Sequence, residues 1–196
     1  MSRREPARQL KLTDPRALRA LAHPLRLRLL GLLRRHGPLT ATQAAERVGE
    51  SPAGCSFHFR QLAKYGLVEE AGGGRGRERP WQATAIFTSW PAAAATPELA
   101  AASELLSTVI AERYFEHVLT WLETRADEST EWQERELFGD VAVYLTPAEL
   151  GELDRKVQAL IEPYLGRISN SELRPAGSRL VMFIALGFPL PEDENL

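Results

Sequence analysis

The sequence predicts a mainly α-helical chain with small β elements, an α+β fold, and three observations carry that expectation. Capped runs with apolar residues three and four apart occupy residues 13–65, the spacing that lines one face of a helix. Two short β-prone runs flank the glycine- and arginine-rich tract Gly72 to Arg79, which is the composition of a hairpin with a long tip. Leu106, Ile110, Tyr114, Val118 and Leu122 recur at every fourth residue and announce a long helix.

The elements follow in order. Residues before Thr13 are read as a mobile basic tail. Thr13-Asp14-Pro15 starts the first helix: Thr13 or Asp14 accepts from an orphan N–H, and Pro15 lacks an N–H where none is needed. Ala17, Leu18, Leu21 and Ala22 form its apolar face. His23-Pro24 ends it, because a residue before proline is pushed out of helical angles. The second helix runs from Pro24 to the stop at Gly37-Pro38, with Leu25, Leu29, Leu32 and Leu33 inward and Arg26, Arg28, Arg34 and Arg35 outward. Thr40-Ala41-Thr42-Gln43 is a capping box that opens a third helix carrying Ala44, Ala45 and Val48. Gly49 ends it, Ser51-Pro52 opens a fourth helix to about Tyr65, and Gly66 suits a left-handed cap. Leu67 to Glu70 and Trp81 to Thr84 are the hairpin strands.

Pro91 to Pro97 reads as a connector, followed by a long helix from Glu98 to about Asp127. Phe138 to Leu145 is expected to be a strand, and Thr146-Pro147-Ala148-Glu149 caps a helix reaching about Leu165. Arg179 to Phe188 is nearly all apolar and reads as another strand, so residues 137–188 are expected to form strand–helix–strand. Trp121, Trp132, Phe138, Tyr144, Tyr164, Phe183 and Phe188 are core residues of that part, or the lining of a ligand pocket.

Residues 40–79 carry the functional signal. Two short capped helices separated only by Gly49-Glu50 make a helix-turn-helix, and the hairpin after it makes a wing. The second helix of such a unit enters the major groove of DNA, roughly 12 Å wide. Cys55, Phe59 and Leu62 share one face and should pack inward. Ala53, Ser56, Phe57, Arg60, Gln61 and Lys64 then point outward, and Ser51 to Gly54 are small enough to bring backbone N–H groups near a phosphate. Close approach would also explain Gly54, which costs a helix about 1 kcal/mol. Arg60 or Gln61 is expected to read base edges, since Arg pairs with guanine and Gln with adenine through two hydrogen bonds. Phe57 can touch a thymine methyl, while Ser56 and Lys64 bind phosphates. Arg75, Arg77 and Arg79 alternate in the wing and can project together toward the DNA backbone or minor groove.

Charge supports this placement. The net charge is -2, yet residues 1–80 hold 16 Lys+Arg against 7 Asp+Glu, and residues 81–196 hold 8 against 19. A basic part attracts polyanions and an acidic part is repelled by them, which orients docking.

The segment Ala20-Leu21-Ala22-His23-Pro24-Leu25-Arg26-Leu27-Arg28-Leu29-Leu30 resembles the "LAHPxRLxIL" opening of ArsR-type winged helix-turn-helix regulators. Ser51-Pro52, Cys55-Ser56-Phe57-His58-Phe59, Leu62 and Gly66-Leu67-Val68 are similar to that family's recognition-helix pattern, which ends in "GLV". The resemblance covers about residues 14–84. It implies a homodimeric regulator of transcription, usually a repressor, on an inverted-repeat operator. It also implies dimerisation through the first helix and the helix after the wing, here Leu18 and Leu21 with Leu106, Ile110, Tyr114, Val118 and Leu122. His58 is similar to a family histidine and is read as a structural or phosphate contact, and His23 as a helix-junction residue. The family's metal sensors carry paired cysteines in the helix before recognition. Thr40 to Val48 holds none, so metal sensing is not expected.

The expected division is therefore 1–90 as a winged helix-turn-helix DNA-binding domain, 91–128 as a long dimerisation helix and 129–196 as a C-terminal dimerisation or effector segment. The partners expected are double-stranded DNA and a second copy, with no cofactor, metal or membrane. A small-molecule effector held by the C-terminal segment is an alternative addition, and a winged helix used for protein contacts is an alternative role. No phosphate loop, metal-ligand cluster or nucleophile–base pair points to an enzyme, and no catalytic residue is expected. Cys55, the single cysteine, is read as a small core residue and fits a reducing compartment. With no apolar leader or span, a cytoplasmic location is expected. Arginine outnumbers lysine 21 to 3, pointing to a GC-rich bacterial genome.

Overall fold

The computed structural model describes residues 7–72 and 79–191. The chain divides into two compact units, Met1–Leu119 and Thr120–Leu196, and the division falls inside the long helix rather than at its ends.

The first unit begins with β1 (Ala7–Lys11), α1 (Pro15–Leu21), α2 (Pro24–His36), α3 (Ala41–Val48) and α4 (Pro52–Lys64). The strands β2 (Val68–Glu70), β3 (Trp81–Ala83) and β4 (Ala85–Ser89) follow, and then α5 (Pro97–Thr124). Local chemistry sets each helix start. Asp14 accepts from the Arg16 N–H, His23 Nδ1 from Leu25, and Ser51 Oγ from Gly54. Thr40 and Gln43 cap each other reciprocally. Gly49 and Gly66 take the left-handed angles (φ 72° and 70°) that side chains resist.

The core lies where these helices meet. Leu18 and Leu21 of α1, Leu29, Leu30 and Leu33 of α2, Ala44 of α3 and Cys55, Phe59 and Leu62 of α4 are buried together with Leu67, Val68 and Trp81. Phe59 stacks on Trp81 with ring centroids 5.8 Å apart and 24° between planes. The β2–β3 ladder is antiparallel, Val68 opposite Ala83 and Glu70 opposite Trp81, and a bridge from Leu39 to Trp81 ties it to the chain before α3.

Two readings of this unit are corrected. Ala7–Lys11, expected as part of a mobile tail, is a strand paired parallel to β4, with Gln9 opposite Phe87 and Lys11 opposite Ser89. Its partner lies far along the chain, so no local pattern marks it. Arg34, expected outward, is drawn in: Nε donates to the Ala85 carbonyl at 3.0 Å and Nη2 to Thr88 Oγ1 at 2.6 Å. A guanidinium can be buried this way because its donors are satisfied.

The second unit continues with a single 3-10 turn, Arg125–Asp127, then α6 (Thr130–Gln133), α7 (Pro147–Ile161), a turn at Glu162–Tyr164, α8 (Gly166–Ser169) and a turn at Ser171–Leu173. The expected capping box on α7 is present, Thr146 with Glu149. The expected strand–helix–strand is not: 138–145 and 179–188 carry no strand pairing. Apolar patterning marks a segment that could be a strand, but the strand itself exists only with a neighbour to take its N–H and C=O groups. The expected aromatic core is corrected with it, since Phe138, Tyr144, Tyr164, Phe183 and Phe188 are all exposed. Trp121 donates to Glu136 at 2.6 Å, and Arg179 lies over the Trp132 ring at 5.3 Å. Among the described residues, every buried hydrophobic lies at or before Leu106.

The stability of the first unit is expected to fall by about 3–5 kcal/mol in Phe59→Ala. Urea denaturation checks this. The midpoint should drop with the slope unchanged, and a loss under about 1 kcal/mol would deny Phe59 its central place.

Candidate nucleic-acid interface

The inward stripe of α4 decides what the helix can offer to a ligand. Cys55, Phe59 and Leu62 are 0% exposed, so the helix cannot roll without opening the core. Its opposite side carries Ala53, Arg60 and Lys64 exposed, Phe57 49% exposed, and Ser56 and Gln61 partly covered. Ser51 and Ala53 sit exposed in the first turn. The residues expected to face DNA from this helix thus lie on one surface. Lys64 Nζ stands 5.6 Å from the Tyr65 ring centroid, a contact that leaves its charge at the surface.

Gly54 donates its N–H to Ser51 Oγ, and a Cβ there would lie 3.0 Å from that oxygen. The contact is tight but does not dictate glycine, since Gln43 and Glu149 make the same bond to Thr40 and Thr146 with side chains present.

The wing is described on both sides of its tip. Gln82 donates to Glu69 at 2.8 Å across the ladder, and Arg79 pairs with Glu70 at 2.9 Å. Both partners of the Arg79 pair are well exposed, and such a pair contributes about 0–1 kcal/mol. It is a tether that a phosphate can replace. Arg75 and Arg77 lie outside the described residues.

Two histidines meet behind α4. His23 at the α1–α2 junction and His58 have ring centroids 4.9 Å apart, and the Phe57 ring meets His58 edge-on at 5.2 Å. His23 Nδ1 caps α2, whereas His58 Nδ1 is a buried atom with no hydrogen-bond partner among the described residues. Burial, the neighbouring His23 and Arg26 lower the His58 pKa, against an opposing pull from Glu50. Burial and Arg26 lower that of His23. Arg26 is held here because its Nε donates to the Ala20 carbonyl. Burial, with Glu50 nearby, raises the Cys55 thiol, which keeps it protonated and inert. This histidine pair spans 35 residues of sequence, so no spacing pattern could have revealed it.

The residues expected to dimerise separate into two groups. Leu18, Leu21 and Leu106 are buried in the core of the single chain, at 0–1% exposure. Ile110, Tyr114, Val118 and Leu122 are partly covered, and the large apolar residues exposed on α5 are Leu105, Phe115 and Leu119. The four-residue repeat marked the inward edge of the helix, because the strongest apolar repeat belongs to the side that packs first. Among the described residues there is no cluster of His, Cys, Asp or Glu able to hold a metal ion, and no helix is long and apolar enough to cross a membrane.

The histidine pair makes stability depend on pH. Both pKa values lie below the ordinary 6.5, so near pH 6 the unfolded chain takes up protons that the folded chain refuses. Stability is therefore full above about 6.5 and is lost as pH falls through that value toward the lower folded-state pKa values. His58→Gln should flatten the decline in urea midpoint between pH 7.5 and 5.5; an unchanged slope would show that the pair does not carry it.

Residues 21–71 match a family of helix-turn-helix domains. No curated protein matches the chain. Among solved structures, the chain is similar to the homodimeric winged helix-turn-helix DNA-binding domain of Mb0332 from Mycobacterium bovis, a possible ArsR-family transcriptional regulator, at 24% identity over 50% of this chain and 77% of that one, with a TM-score of 0.33. It is also similar to reduced HlyU from Vibrio cholerae, at 22% identity over 48% and 84% with a TM-score of 0.31. For RV1404 from Mycobacterium tuberculosis the figures are 15% identity over 76% and 81%, with a TM-score of 0.32. Residues 21–71 thus match a helix-turn-helix domain, and the antiparallel β2–β3 hairpin follows directly after its second helix.

Proposed function

We propose that this protein is a sequence-specific transcription regulator that binds duplex DNA through α4 and the wing. One observation carries the reading. The face of α4 opposite the buried Cys55, Phe59 and Leu62 presents Arg60, Gln61, Lys64 and Phe57 together, on a helix of 13 residues that a major groove can accept. Arg60 and Gln61 read base edges, Ser56 and Lys64 hold phosphates, Phe57 meets a thymine methyl, and Ser51 and Ala53 let the first turn approach the backbone. Arg75, Arg77 and Arg79 follow the neighbouring phosphates or minor groove.

The protein acts as a cytoplasmic bacterial homodimer, a repressor on an inverted repeat, without metal sensing and without catalysis. Support for two copies comes from the exposed Leu105, Phe115 and Leu119 on α5 and from the family resemblance of residues 14–84. A dimer would place two recognition helices on half-sites about 34–36 Å apart.

Selection of binding sites from random duplexes tests the reading directly. Arg60→Ala and Gln61→Ala should each relax preference at particular positions, with about 1–3 kcal/mol of discrimination lost. Replacing Arg75, Arg77 and Arg79 by Ala should instead weaken all duplexes alike and flatten the salt dependence by up to about 0.9 log units per lost phosphate contact. Unaltered selection in the first pair and an unaltered salt slope in the second would refute the assignments. Light scattering on the full chain should give twice the mass of one chain, and Phe115→Glu should reduce it. A monomer in the unsubstituted protein would remove the dimer from the proposal.

A further inference from the structure

The helices α2 and α5 bring together several guanidiniums that DNA recognition does not use. Gly31 lies on the side of α2 that faces Arg113 of α5. A Cβ built on Gly31 would sit 3.1 Å from Arg113 Nη2 and 3.3 Å from Arg35 Nη1, so two cationic groups close on a single point. Behind them Arg34 is fixed by the Ala85 carbonyl and Thr88 Oγ1, and Arg113 Nη1 reaches the Leu27 carbonyl at 3.4 Å. Backbone carbonyls satisfy donors but do not neutralise charge. None of Arg34, Arg35 and Arg113 makes an ion pair among the described residues. Among the described residues Tyr114 and Glu116 favour the Arg113 charge, while Arg35 and Arg28 oppose it.

Burial and mutual repulsion act on these groups in the same sense. Burial, then Arg113, pulls Arg34 down to about 10. Burial and Arg35 lower Arg113 in the same way, and His117 is lowered by burial, Arg113 and Arg35. Clustered like charges that have left water are stabilised most by an anion placed among them. Arginine suits that task, since its planar fork binds two oxygens of a carboxylate or phosphate at once.

We propose that Arg35 and Arg113, over Gly31 and backed by Arg34, form a binding site for a small oxyanion, the carboxylate or phosphate group of a metabolite-sized ligand. The site lies within the first unit and does not rest on the DNA-binding reading. Its two recognition arms come from different helices, so an occupied site ties α2 to α5. The absence of a side chain at Gly31 is what leaves room for both guanidiniums on this face of α2.

Thermal unfolding of the full chain tests this with inorganic phosphate and malonate, each against chloride at matched ionic strength. The expected result is a saturable rise in Tm with at least one of the two anions and none with chloride. Arg113→Gln and Arg35→Gln should each weaken the response by about tenfold or more in apparent Kd. Arg113→Lys should retain part of it, because the charge remains and the fork is lost. Gly31→Ala keeps every charge and favours the helix, and its Cβ would meet the guanidiniums at 3.1 and 3.3 Å and shift them by a few tenths of an ångström, so it should weaken binding less than loss of either arginine while circular dichroism stays unchanged. No saturable rise in the unsubstituted protein overturns the proposal, as does an equal rise in all variants. Weaker duplex binding in Arg113→Gln with the anion response intact would assign the cluster to DNA phosphates instead. Loss of an oligomer with the anion response intact would assign it to a partner's carboxylates. Either result overturns the small-ligand site.

Discussion

Phe59 is fully buried in the middle of α4 and stacks on Trp81 of β3, so one aromatic contact holds both that helix and the hairpin. Trp81 in turn exchanges backbone hydrogen bonds with Leu39, just before the capping box of α3. The turn, the helix and the wing are therefore positioned by the same few residues. A helix that must present side chains to a rigid partner gains from this, because its rotation is fixed by Cys55, Phe59 and Leu62 and not by contacts made on binding. Aromatic burial supplies the energy for that fixing, while the exposed face contributes almost nothing to stability and is free to serve recognition.

Net charge overstates the cations available for DNA. Of the arginines in residues 1–80, Arg26, Arg28 and Arg34 donate to the carbonyls of Ala20, Val48 and Ala85, and Arg19 pairs with Glu98. These side chains join elements to each other: Arg28 ties α2 to the end of α3, and Arg34 ties α2 to β4. Their charge still contributes to the long-range field that draws in a polyanion. The side chains left exposed for other partners are fewer, and Arg60, Lys64 and Arg79 are among them. Counting charges along a sequence separates neither group from the other.

What could be read in the sequence was the local chemistry. Asp14, Thr40 with Gln43, Ser51 and Thr146 with Glu149 cap the helices they were expected to cap, because a cap is decided within four residues. The hairpin was legible for the same reason. Ala7–Lys11 was not, since its strand character depends on Ala85–Ser89. The histidine pair and the Arg35–Arg113 pair were equally hidden, each made by residues from distant helices. Residues 138–145 and 179–188 show the opposite error. Their apolar patterning is real, but patterning reports what a segment would bury and is silent on whether a partner strand exists within the chain.

Several residues read for function also have contacts within the chain. Gly54 donates to the Ser51 cap, Arg79 rests on Glu70 in an exposed pair, and Leu18, Leu21 and Leu106 belong to the core. Arg60 and Gln61 differ, having no side-chain hydrogen bond among the described residues. Long polar side chains carry considerable conformational entropy, and nothing in the fold explains why these two should stand together on a helix held so firmly by its other face. A structural demand would be met by any soluble residue there. Arg60 and Gln61 stand side by side on that face with no side-chain hydrogen bond among the described residues, and base reading, as proposed, would use both, since Arg can pair with guanine and Gln with adenine through two hydrogen bonds.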